Sequence, residues 1–207
     1  THKGGEIGID MGVARFATLS NGEYFEPVNA FKTYKGKLAK LQRQLKNKVK
    51  FSQNWQKLKA KIAKLHHKIA NCRKDFLHQT SSKISKNHAI IYIEDLQVAN
   101  MSKSAKGTEE TPGKNVAAKS GLNQAILDQS WFEFRRQLSY KTQWRGGFLV
   151  AVPAQNTSRT CPCCGHVAKE NRQTQANFEC VECGYTENAD VVGALNVLTR
   201  GRTIVHA

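Results

Sequence analysis

The stretch "GGEIGIDMGVARFATLS", residues 4–20, decides how the rest of the chain is read. Ile7 and Ile9 alternate with other residues, as on a strand over 5–10 with one face turned inward. That strand ends on Asp10, and a second run, "ARFATLS" at 14–20, follows it. Asn21-Gly22 is a hairpin signal, with a returning strand at 23–28, so the chain opens as an antiparallel meander. A carboxylate at the edge of a core costs free energy unless it is paired or binds a metal. The partner that balances Asp10 has to come from elsewhere in the sequence.

Working outward, the next apolar run is "HAIIYIEDL" at 88–96, β-branched and aromatic, read as a central strand beside the first. It too ends on acids. Strand alternation sends Glu94 and Asp95 to opposite faces, and Glu94 is the one expected to face Asp10. "GGFLVAVP" at 146–153 reads as another buried strand. Residues 33–86 read as two helices, with Leu38, Leu41 and Leu45 on the first stripe and a break near "NKVKFSQN". Leu58, Ile62, Leu65, Ile69, Cys72 and Phe76 form the second stripe. Residues 100–121 are polar with Gly and Pro and read as a mobile loop or lid. Residues 122–143 carry Leu122, Ile126, Trp131, Phe134 and Leu138 and read as one helix. At 207 residues the chain has room for one good core and a small satellite module.

Charge is concentrated. Residues 32–86 hold 17 Lys or Arg against one acid, Asp75, while the remainder holds 15 of each sign, so the net charge of +16 lies in that segment. Such asymmetry points to a polyanionic partner, nucleic acid first, although a solvated lysine face has the same composition. The segment shows little aromatic signal, so it is expected to add affinity through phosphates rather than base specificity. No stretch reaches the roughly 18 apolar residues of a membrane span.

"CPCCGHVAKENRQTQANFECVECG" holds two C-x-x-C-G knuckles, Cys161/Cys164 and Cys180/Cys183, fifteen residues apart, with Gly165 and Gly184 behind them. This is zinc-ribbon spacing, in which four thiolates converge and each glycine allows a tight turn. Four thiolates leave zinc no open position, so the site is expected to be structural. Cys163 is read as a spare because Glu182 holds the matching place in the second knuckle; its exchange with a neighbouring ligand and a two-disulfide pairing are the alternatives.

"ENADVVGALNVLTR" follows the cysteines. A helix from about Asn188 puts Asp190, Ala194 and Val197 on one face with Gly193 beside them, small enough to lie close on a sheet. Three acids then meet: Asp10, Glu94 and Asp190. Carboxylates held together need cations, and all-oxygen ligation suits magnesium or manganese. On this reading a metal balances Asp10.

The order "GIDMG", "IEDL", C-x-x-C…C-x-x-C and "NADVVGALNVL" resembles the RuvC-like domain of TnpB proteins, transposon-encoded relatives of the type V CRISPR nucleases. The resemblance covers essentially all 207 residues, with four motifs in order and the ribbon directly before the third acid. It implies an α/β, RNase H-like (RuvC-like) fold, a mixed sheet flanked by helices with an inserted zinc ribbon. Residues 1–155 would be the nuclease core with a basic helical insertion at about 32–86, 156–186 the ribbon, and 187–207 the last core helix. It implies an RNA-guided, divalent-metal-dependent DNA endonuclease with Asp10, Glu94 and Asp190 as catalytic acids. These would hold two Mg2+ or Mn2+ ions, and Cys161, Cys164, Cys180 and Cys183 would hold one structural Zn2+. Guide RNA and target DNA are the implied partners, in a bacterial or archaeal cytoplasm, nucleoid-associated on DNA. A further N-terminal region of the same protein is expected upstream of this chain. Val192 and Gly193 stand where the family often has Asn and Ala. Two other readings compete. A non-cleaving RNA-guided repressor would be expected to lack one of the acids. A sugar-kinase-like phosphate loop at "IGIDMG" would need a second Gly-rich loop.

Overall fold

The computed structural model describes residues 4–206, so residues 1–3 and 207 of the expected segments lie outside it. The elements run β1 (Glu6–Met11), β2 (Ala17–Leu19), β3 (Tyr24–Phe25), α1 (Ala30–Lys46), α2 (Gln53–Asn87) and β4 (Ile90–Glu94). They continue with α3 (Val98–Met101), α4 (Val116–Gln129), α5 (Trp131–Trp144), β5 (Phe148–Val152), β6 (Asn177–Glu179), β7 (Thr186–Asn188) and α6 (Ala189–His206).

Five strands form one mixed sheet in the order β3-β2-β1-β4-β5. The first three pair antiparallel, with the Asn21-Gly22 turn joining β2 to β3, whereas β4 lies parallel to β1 and to β5. Parallel neighbours need crossovers, and α1, α2 and then α4, α5 supply them. One face of the sheet buries Ile7, Ile9, Ile91 and Ile93 with Phe16, Leu77, Phe134 and Leu138. Phe16 meets Phe76 and Phe134 edge to face at 4.9 and 4.8 Å. The other face carries α6, whose Val197 packs on Tyr92 and Val152.

α1 and α2 form a hairpin with its own small core of Ala30, Leu38, Leu65 and Ile69. Its root is fixed by buried Asp128 at the end of α4, which accepts from the Phe31 N–H at 3.0 Å and from Arg73 at 2.6 Å. Towards the turn the two helices hold no buried residue, and the hairpin becomes a bare arm.

Two expectations need correction. The polar stretch 100–121 is not all loop, because α4 begins at Val116. Ala117, Ala118 and Lys119 favour helix, and the polar composition concealed it. The single helix expected at 122–143 is two, broken at Ser130, whose φ of 57° places it in the left-handed region. The break rotates α5 so that Trp131, Phe134 and Leu138 are buried while Leu122 in α4 stays half exposed.

Candidate active site

β1 and β4 run side by side in register, Ile9 opposite Ile93, so the residues that follow, Asp10 and Glu94, leave the sheet at neighbouring places. Glu94 is buried and accepts a hydrogen bond from the Thr157 hydroxyl at 2.6 Å. Asp95 faces the other way and is exposed, paired with Arg135 on α5. Alternation along β4 therefore separates the two acids as the sequence predicted.

Asp190 arrives on the first turn of α6, where the helix dipole favours a carboxylate. Its N–H donates to the Asn188 side chain at 3.0 Å. Glycines set how closely α6 approaches the sheet. A Cβ on Gly8 of β1 would stand 2.2 Å from the Ala194 carbonyl oxygen, and one on Gly193 would stand 3.0 Å from Asp10 Cγ. So the absence of a side chain at Gly193 lets Asp10 lie against the helix backbone. Val192 is fully buried against Cys161, Phe178 and Cys180, tying α6 to the cysteine module.

The three carboxylates share one electrostatic site. Burial raises the Asp10 pKa well above 3.8, and the charges of Glu94 and Asp190 raise it further, opposed by Arg172. Burial also raises the pKa of Glu94, against the Thr157 hydrogen bond and the positive charges of Arg200 and Arg172. Arg172 lies between the two cysteine pairs, and its guanidinium reaches to 3.7 Å from Asp190. Sequence reading missed it, since nothing in "KENRQTQ" distinguishes one basic residue from another. Among the described residues, the acids do not draw their oxygens together as tightly as the cysteines draw their sulfurs. A partly buried all-carboxylate set, with Asp10 burdened by the charges of the other two, is nonetheless the donor chemistry that hard divalent cations satisfy. Beside Glu94 opens a cavity of about 230 Å³ lined by Met11, Leu96, Trp131, Phe132 and Arg135, among others.

The four cysteines meet as the knuckle spacing requires, all four sulfurs within 4.8 Å of one another. Cys161 and Cys183 lie 3.6 Å apart, as do Cys164 and Cys180. A tetrahedron with bonds of about 2.3 Å has edges of about 3.8 Å, so the set is compatible with a structural zinc. The two knuckles repeat one geometry: the Gly165 and Gly184 N–H groups donate to the Cys161 and Cys180 carbonyls, both at 2.9 Å, with φ values of 76° and 71°. Cys163 is exposed and outside the cluster. Buried Asn171 joins the two knuckles, accepting from the Val181 N–H and donating to the Arg159 and His166 carbonyls. Asn196 of α6 donates to the Thr157 and Thr160 carbonyls at 2.7 Å each, so one short chain of bonds links α6, the entry to the cysteine module and Glu94.

The fold matches that of Cas12f1 in a complex with sgRNA and target DNA, with a TM-score of 0.60 and 21% identity over 93% of this chain and 49% of the other. Residues 131–197 match the Cas12f1-like TNB domain family, and residues 1–105 match the OrfB_IS605 family, described as "Probable transposase". The chain belongs to that transposase family, the TnpB family whose motifs it carries. Among curated relatives, the Escherichia coli protein named "Putative RNA-guided DNA endonuclease InsQ" is 60% identical over 199 residues, 96% of this chain and 50% of that protein. A Streptomyces pristinaespiralis protein of the same description is 33% identical over 94% of this chain and 45% of its own length. The chain thus spans about half the length of the curated relatives it matches.

Proposed function

We propose that this chain is the catalytic part of an RNA-guided, divalent-metal-dependent DNA endonuclease, with Asp10, Glu94 and Asp190 as its catalytic acids. The observation that carries the reading is the meeting of these residues, from three separate elements, in one partly buried site where each acid's charge is felt by Asp10. The sheet order and the crossing of α6 suit an RNase H-like fold, and the four sulfurs suit a zinc ribbon. In this reading residues 1–155 and 187–207 form the nuclease core, and 156–186 the ribbon.

Each residue has a distinct part. Asp10 and Glu94, carried on the neighbouring parallel strands β1 and β4, would present their carboxylates to one site. Thr157 holds one Glu94 oxygen by hydrogen bond, which orients the other. Asp190 closes the set from the helix. Two divalent cations, Mg2+ or Mn2+, would be held by these carboxylates and would supply water activation and charge neutralisation at the phosphate. Arg172, close to the acids without a tight pair, is placed to attract and orient the phosphate of the strand to be cut. The guide and target would lie along the basic arm formed by α1 and α2.

The test compares cleavage and target binding by the full-length protein with its guide in magnesium, wild type against Asp190→Ala. The expected result is loss of cleavage with binding retained. Equal cleavage by both would end the three-carboxylate mechanism; binding without cleavage by either would favour a repressor.

A further inference from the structure

The turn of the arm carries more than lysines. Between α1 and α2, Val49 and Phe51 stand 79% and 75% exposed at the far end of the hairpin. From its start beside Phe51, α2 runs about 36 Å before Leu77 enters the main core. The φ of Phe51 is 65°, a conformation that costs a non-glycine residue of order 1–3 kcal/mol and persists only where its surroundings impose it. They do so here. The Ser52 N–H donates to the Val49 carbonyl, the Ser52 hydroxyl caps α2 at the Trp55 N–H, and the Gln56 side chain donates to the Phe51 carbonyl. Trp55 lies 5.4 Å from the Phe51 ring, with Lys59 over its own face at 5.0 Å. Local packing on Trp55 accounts for one side of Phe51 and leaves the other open. An adjoining concavity of about 500 Å³ is lined by Lys48, Lys57 and Lys61.

We propose that this tip is a stacking platform for an unpaired base of a folded RNA. Charge selects the class of partner: the arm has one acid against 17 basic residues, and the turn itself contributes Lys48 and Lys50, so a polyanion is attracted. The aromatic face selects the group within it, because a lysine-flanked ring gains from a base plane and nothing from a paired duplex side. Loops and bulges of RNA present such bases without prior strand opening, whereas duplex DNA hides them. The tip rests on the nucleic-acid reading above but not on cleavage.

The full 207-residue chain is titrated in EDTA against an RNA hairpin with 2-aminopurine in its loop, against a fully paired RNA stem, and against single-stranded DNA of the loop sequence. Phe51→Ala should weaken loop-RNA binding by about 5- to 160-fold, the range of one stacked base, and abolish 2-aminopurine quenching. Phe51→Trp should restore both, and binding of the paired stem should not change. Equal loop binding by wild type and Phe51→Ala, or an equal loss on the paired stem, would overturn the proposal. A loss confined to the DNA strand would also overturn it. Asp190→Ala, carried in parallel, should match wild type here, so failure of the tip and failure of the acids are read separately.

Discussion

Asp10 is held against its own charge: burial and the neighbouring carboxylates of Glu94 and Asp190 raise its pKa well above 3.8. A carboxyl whose pKa rises on folding lends stability while it stays protonated, below the ordinary value, and loses it as pH climbs through the raised one. At neutral pH without divalent ions, then, the ionised Asp10 destabilises the fold. Asp10→Asn, neutral at every pH, should melt above wild type in EDTA at pH 7, and the difference should shrink as pH falls toward 3.8. Magnesium should raise the wild-type melting temperature and leave the variant nearly unmoved. A variant no more stable than wild type in EDTA at pH 7 would contradict the assignment. At this scale much of the site was legible. An acid at a strand end, a second one strand over and a third on a small-residue helix face are each readable from neighbours in sequence. Arg172 was not, because its meaning comes from the fold of the cysteine module, which turns it toward Asp190, 18 positions further along the chain.

Among the elements, α6 carries most consequence, since it covers β1, packs against the cysteine module through Val192 and delivers Asp190. Its closeness depends on what is missing from the facing strand. Gly8→Ala would drive a methyl group into the Ala194 carbonyl at 2.2 Å and the Leu198 backbone at 2.7 Å, neither of which is a flexible side-chain end. That substitution should cost at least about 1–3 kcal/mol, the range for overpacked cores, and should depress cleavage by lifting Asp190 from Asp10. Gly36, by contrast, sits within α1 and has nothing within 4 Å of the place a methyl group would take. Gly36→Ala should stabilise by about 0.5–1 kcal/mol through helix propensity alone. Urea melts of both variants would check the opposite signs; a neutral Gly8→Ala would mean that α6 does not press on β1. Helix stripes of Leu and Ile were readable at this scale, since burial writes itself into a 3.6-residue period. The start of α4 and the break at Ser130 were not, because apolar residues spread round α4 leave no stripe and a left-handed serine carries no residue signature.

For the whole molecule, the dominant asymmetry is electrostatic. The acids gather at one end of the sheet, and the arm carries the entire net charge on exposed lysines and arginines, all but Arg73, which is spent on Asp128. The remaining 15 basic and 15 acidic residues cancel. A polyanion approaching this chain is therefore drawn to the arm, away from the carboxylates that would repel it, and near the acids Arg172 offsets part of their charge. Exposed lysines spaced along two helices neutralise phosphates irrespective of sequence, so their share of binding should be counterion release. Changing Lys57, Lys61 and Lys64 to Gln together should weaken binding to any B-form duplex. It should also reduce the steepness of log K against log salt by up to about 2.7, or about 0.9 for each phosphate left unneutralised. The effect should be equal on unrelated sequences and should fade at high salt, whereas removal of a base-specific interaction would show as a sequence-dependent change at constant slope. Fluorescence anisotropy on two unrelated duplexes across a salt series separates these outcomes, and an unchanged slope in the triple variant would remove the arm from the nucleic-acid path.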